Sequence, residues 1–154
     1  MPDDSDLPPL VAVPPGLYRH HKGGWYAVLE TVRCSETLQP MVLYRALYGD
    51  AGKWVRPAGM FAEQVVDRNG QTASRFTLHD AFTLAPTDVA TAQALVLYFC
   101  DCLQRSAHTL WPAPTPPTSC CGRGCNGCVW EGYYTALGHW LAEARQLARQ
   151  PTHA

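Results

Sequence analysis

From residue 16 onward, short apolar runs alternate with turn-forming pairs, a rhythm that predicts β-strands. The runs fall near 17–21, 25–34, 41–48, 53–56 and 63–67, rich in Tyr, Val and Trp. Turn signals stand between or after them at Gly23-Gly24, Gln39-Pro40, Gly49-Asp50 and Asn69-Gly70. Along the second run Trp25, Ala27, Leu29 and Thr31 face one way, and Tyr26, Val28, Glu30 and Val32 the other. Neither face is cleanly polar, so the alternation leaves open which one is inside.

The period changes after Pro86. Val89, Ala92, Val96, Phe99, Leu103 and Ala107 recur every three or four residues, which predicts a helix over 86–108 with Thr87 or Asp88 as its cap. The apolar run at 94–99 also fits a buried strand. Next, "WPAPTPPTS" at 111–119 reads as a stiff, extended linker. A second helix follows at about 129–149, with Trp130, Tyr133, Tyr134, Leu137, Trp140, Leu141, Ala144 and Ala148 as its apolar stripe. Gly132 and Gly138 weaken that helix in isolation, so it needs a surface to pack on.

The expected architecture is α+β. A small antiparallel SH3-like β-barrel or rolled sheet comes first, then two helices, the second preceded by a Cys-rich metal-binding loop. The expected divisions are a disordered lead at 1–15, a β domain at 16–80, a helix at 86–108, a Pro-rich linker at 109–119 and a Cys-rich module at 120–150.

Composition narrows the function classes. A length of 154 residues suits one domain, or a small domain with an appendage. The formal charge of −1 gives no reason to expect a non-specific grip on nucleic acid or anionic lipid. "MPDDSDLPPL" lacks the basic start and apolar run of a secretory signal, and "ALVLYF" at 94–99 is too short to cross a bilayer. A cytoplasmic, reducing setting is the expectation, and there seven cysteines read as metal ligands or free thiols rather than a disulfide framework.

Four of the seven lie within nine residues, in "CCGRGCNGC". Cys120, Cys121, Cys125 and Cys128 give C-C-x3-C-x2-C, a spacing from which one loop can offer several thiolates to a metal. Gly122, Gly124 and Gly127 permit positive φ and leave backbone N–H groups free to bond thiolate sulfur. The helix start after Cys128 adds partial positive charge. Zinc and an iron–sulfur cluster both fit, and a thiol redox pair at Cys125-x-x-Cys128 is the alternative. Adjacent side chains diverge, so Cys120 and Cys121 do not easily share one ion, and the fourth ligand stays open among Cys120, Cys100, Cys102, His139 and a non-protein group. Cys121-x3-Cys125-x2-Cys128 also has the spacing of radical S-adenosylmethionine enzymes, but the chain has no room for their large α/β barrel.

"CCGRGCNGCVWEGYYTAL" resembles the short oxidoreductase-like domain, whose hallmark is CCGxGCxxCVW followed by a Tyr-bearing helix. The likeness covers about 112–141. Residues 16–76 resemble the bacterial domain of unknown function 1653: Gly16, Tyr18, His20, Lys22, Gly23, Tyr26 and Val28, then Ser35-Glu36-Thr37, then Tyr44, Leu47, Tyr48 and Gly49. Trp54, Val55, Arg56, Pro57, Met60, Phe61, Arg75 and Phe76 complete that set. Gln39 or Pro40 stands where that family usually has a second acidic residue, so a mechanism needing two carboxylates there does not carry over. Neither resemblance implies an established reaction.

Within the β domain the chemically interesting side chains are His20, Lys22, Glu36 and Arg56, with Tyr48 and Trp54 among the rings available for stacking. A shallow aromatic cleft with Arg and His suits a small anion or a peptide carboxylate, whereas pairing of Glu36 with Arg56 or Lys22 would make them structural. No phosphate-binding glycine loop, HExxH or serine-nucleophile context occurs, so nothing supports a hydrolase or NTPase. The expected role is a metal- or iron–sulfur-binding adaptor whose β domain takes a protein partner or small anionic ligand. A redox accessory protein is the alternative.

Overall fold

The computed structural model describes residues 3–118 and 129–152. It divides into two compact units, residues 1–83 and 84–154.

In the first unit β1 (Gly16–His20), β2 (Trp25–Arg33), β3 (Pro40–Ala46) and β4 (Lys53–Pro57) are linked by successive antiparallel pairings. A short helix, α1 (Ala58–Phe61), follows, then β5 (Gln64–Val66), β6 (Thr72–Ser74) and β7 (Phe76–His79). The main sheet runs β4-β3-β2-β1-β7, and β5-β6 form a separate two-stranded sheet. Of the SH3-like barrel and the rolled sheet expected, no closed barrel is formed among the described residues. Pro57 ends β4 without a backbone N–H to donate, α1 turns the chain away, and β4 and β7 remain the two edges of an open sheet.

A bulge between Val28 and Glu30 reverses the alternation along β2. Before it, Val28 opposes Tyr44; after it, Thr31 opposes Val42, so Thr31 joins the face of Val28 instead of that of Trp25. Tyr18, Val28, Val42, Tyr44, Ala58, Phe61 and Phe76 make the core on this face. Phe61 and Phe76 stack with centroids 4.0 Å apart, and Tyr18 meets Phe61 edge-on at 5.4 Å. Burial of a ring such as Phe61 contributes roughly 1.5–3 kcal/mol, and this ring seats α1 against the sheet.

The segment before β1 is tied to the same sheet. Arg33 donates to the Pro8 carbonyl (2.8 Å), Val13 N–H to the Thr31 hydroxyl (2.9 Å) and the Tyr18 hydroxyl to the Pro14 carbonyl (2.8 Å).

The second unit is helical. In α2 (Val89–Arg105) the Asp88 carboxylate caps the first turn by accepting from Thr91 N–H at 2.8 Å and the Thr91 hydroxyl at 3.1 Å. The run at 94–99 is therefore helix, with Ala92, Leu95, Phe99 and Leu103 buried. In α3 (Val129–Ala148) Tyr133, Leu137, Trp140, Leu141 and Ala144 are buried, and α3 packs on α2. Arg145 lies over Phe99 and donates to the Leu84 carbonyl at 2.6 Å. Residues 111–117 have no regular structure, but their start is held: Trp140 Nε1 donates to the Trp111 carbonyl and Trp111 Nε1 to Glu143, both at 2.9 Å. No helix among the described residues is long and apolar enough to cross a membrane.

Candidate functional site

The β1–β2 turn "HHKGG" sets the position of His20. His20 N–H donates to Gly24 O and Gly23 N–H to His20 O, each at 2.8 Å, and Gly23 takes φ +104°, where a side chain would be strained. Within this turn Lys22 N–H donates to His20 Nδ1 at 3.2 Å. A neutral imidazole that accepts at Nδ1 carries its proton on Nε2, so Nε2–H is the free donor.

Strand pairing then supplies the surroundings. His20 opposes Phe76 on β7 and meets its ring edge-on at 4.8 Å. Arg56 of β4 shares the face of Val42, and its guanidinium sits 5.8 Å from the Phe76 centroid. Arg75 bonds Glu63 at 2.7 Å through its side chain, while its carbonyl accepts His21 N–H at 2.9 Å. Partial burial, followed by the positive charges of His21, Arg56, Arg75 and Lys22, holds the His20 pKa down to about 4. At neutral pH a neutral N–H donor therefore stands among cationic side chains on an aromatic floor. Such a group can bind an anion without itself carrying charge.

Tyr48 and Trp54 belong to a different feature. Together with Tyr26 and Tyr44 they line a 360 Å³ cavity at the β3–β4 turn, which neither His20 nor Arg56 lines. The Tyr26 and Tyr48 hydroxyls are 2.7 Å apart, and burial, reinforced by that bond, raises the Tyr26 pKa.

Glu36 is exposed in the β2–β3 loop, and among the described residues it forms no ion pair with Arg56 or Lys22. That loop is braced without it: Leu38 N–H donates to Cys34 O at 2.8 Å, and Arg33 donates to Leu38 O at 3.1 Å. Cys120, Cys121, Cys125 and Cys128 lie outside the described residues. Cys34, Cys100 and Cys102 are free thiols, and no three His, Cys, Asp or Glu side chains among the described residues gather as a metal site. At the start of α3 the Trp130 and Tyr133 rings are 5.9 Å apart, and those of Tyr133 and Tyr134 5.1 Å.

The structure thus brings His20, Lys22 and Arg56 to one site and Tyr48 and Trp54 to another, with Glu36 in neither. Arg75 and Phe76 complete the first site. Sequence reasoning gave them no role there because they stand 55 and 56 positions after His20 and reach it only through the β1–β7 pairing. Asp50, in the lining of the second, was legible only as part of a turn signal.

Residues 16–78 match the model for "Protein of unknown function (DUF1653)". A crystal structure of a DUF1653 protein from Bordetella bronchiseptica is 35% identical, with 91% of that chain and 44% of this one covered at a TM-score of 0.40. The chain belongs to the DUF1653 family. Its residues 109–149 also match "Oxidoreductase-like protein, N-terminal", so the chain is a two-module protein. Comparison with curated proteins gives no match. The DUF1653 module holds both features built above, and the oxidoreductase-like module holds the Cys cluster, α3 and the Trp111 contacts.

Proposed function

We propose that the chain is a two-module adaptor. Cys121, Cys125 and Cys128 supply ligands for zinc or an iron–sulfur cluster, with Cys120 among the candidates for the fourth, and the DUF1653 module binds a protein partner or small anion. The observation that carries the second half is the gathering of Lys22, Arg56 and Arg75 around a neutral His20 on the Phe76 ring. The first half rests on donor chemistry: four cysteines in a glycine-rich stretch of sequence directly before the start of α3.

The test is anaerobic purification followed by metal analysis and a visible spectrum. About three or four irons with acid-labile sulfide in a brown protein identify a cluster, and about one zinc in a colourless protein identifies a structural site. If neither metal co-purifies or rebinds, the metal half fails. For the anion, inorganic phosphate or a peptide carboxylate should shift the His20 and Arg56 NMR signals, and Arg56→Ala should remove the shift.

A redox accessory role is the second reading, favoured by the Trp130, Tyr133 and Tyr134 rings that immediately follow the Cys cluster in sequence. Redox titration of the metal-loaded protein separates the readings. A reversible potential supports electron transfer, and a redox-silent zinc protein supports the adaptor.

A further inference from the structure

The cavity at the β3–β4 turn has the chemistry of a cation site. Cross-strand pairing of Tyr44 with Trp54 sets those two residues side by side on one face of the sheet. Tyr26 stands next to them at 69° to Tyr44, with centroids 5.6 Å apart, and Tyr48 meets Tyr26 at 82° and again 5.6 Å. Rings inclined in this way make walls rather than a flat stack. Ala46 adds only a methyl group to the lining, and the turn Gly49–Gly52 completes it.

Two observations say what the walls are for. Trp54 is 62% exposed and Tyr48 50%, so large ring surfaces are left in water instead of being used in the core. Among the described residues Asp50 is the one charged side chain in the lining, while Arg56, two positions beyond Trp54 on the same face, lies outside it. Negative ring faces beside a carboxylate repel anions and attract cations. Phenol and indole faces cannot replace the water around a primary ammonium, which favours a bulky, weakly hydrated cation. The volume of 360 Å³ lies in the range of about 300–1,000 Å³ usual for small-ligand sites.

We propose that Tyr26, Tyr44, Tyr48, Trp54 and Asp50 form a binding site for a trimethylammonium group, carried on a trimethyllysine side chain or on a free choline-like molecule. The site goes beyond the adaptor reading. Among the described residues no cysteine lines it, nor does His20 or Arg56, so its ligand is distinct from the metal and the anion of that reading.

The test uses the full chain, titrated with choline, with a trimethyllysine peptide and with 3,3-dimethylbutanol, the uncharged carbon isostere of choline. Tryptophan fluorescence and the NMR signal of the Trp54 indole are followed. The charged ligands should saturate both, with the isostere weaker by roughly tenfold or more. Trp54→Ala should lose about tenfold in affinity, while exposure of the ring keeps the fold intact by circular dichroism. Asp50→Asn should weaken binding about threefold. Tyr48→Phe, which keeps the ring and removes only the hydroxyl bond, should still bind. A peptide preference assigns the group to a protein partner, a choline preference assigns it to a free metabolite, and equal affinity makes the headgroup alone the determinant. Equal binding of the isostere, undiminished binding by Trp54→Ala, or no saturation by either cation at millimolar concentration overturns the proposal.

Discussion

At the scale of single residues, His20 is where burial and charge act on one proton in the same direction. Its folded pKa of about 4 lies below the value of 6.5 for a free imidazole. Between those values the unfolded chain binds a proton that the folded chain refuses, so stability falls as pH drops from 6.5 towards 4 and is unaffected by this group above about pH 7. NMR titration should give a His20 midpoint near 4. Replacing Arg56 by Gln removes one of the repelling charges and should move the midpoint up, whereas His20→Gln should flatten the acid limb of a denaturation profile. A His20 midpoint at 6.5 in the intact protein would show that neither burial nor the cationic surroundings act on this proton. Cys34 responds in the opposite sense to Cys100 and Cys102. Hydrogen bonds from Thr37 lower its pKa, whereas burial raises those of the other two. Timed alkylation with peptide mapping should therefore modify Cys34 before Cys100 and Cys102, because the thiolate is the reacting species.

At the scale of elements, the two helices differ in how they are secured. The cap on α2 uses both carboxylate oxygens of Asp88 on Thr91. Asp88→Ala should cost about 1 kcal/mol, read as a lower urea midpoint with an unchanged m-value. By contrast α3 carries an avoidable weakness. Gly138 is exposed in mid-helix with a negative φ, and a Cβ there would meet nothing within 4 Å. Gly138→Ala should raise stability by about 1 kcal/mol, measured as a higher Tm; a fall would mean that something else needs the bare backbone. These helices were legible in the sequence because a 3.6-residue period runs through each of them, although the run at 94–99 read equally as a buried strand until the structure placed it in α2. The first five strands were equally legible from apolar runs between turns. By contrast β6 (Thr72–Ser74) and β7 (Phe76–His79) were not, since each has three or four residues, mostly polar or exposed, with Arg75 between them. Their one signal was Asn69-Gly70, a turn that demands a partner for β5. The bulge in β2 left no side-chain trace at all, and it decides where Thr31 points. For the same reason the candidate site was half legible. His20, Lys22 and Arg56 could be singled out by residue type, but the Phe76 floor depends on which strands pair.

At the scale of the whole molecule, each unit has its own means of cohesion. The first has a sheet whose core rings pack on α1. The second has two helices, the Trp111 contacts and, under the proposed function, a metal at the Cys cluster directly before Val129. A ligand that binds only the folded form adds its binding free energy to folding, and a metal at 120–128 would add it at the N-terminal turns of α3. The first turn is weak by itself, because Val129 is exposed and Gly132 belongs to it. Stripping the metal with a chelator should therefore raise hydrogen exchange first in residues 129–134, then along α3, with the amides of β1–β3 as the internal reference. Cys125→Ser should reproduce the effect without chelator, and metal added back should reverse it only in the wild-type chain. If exchange at the start of α3 is the same with and without metal, the cysteines do not contribute to folding through an ion. They would then have to be tested as thiols, beginning with the reduction potential of Cys125 and Cys128.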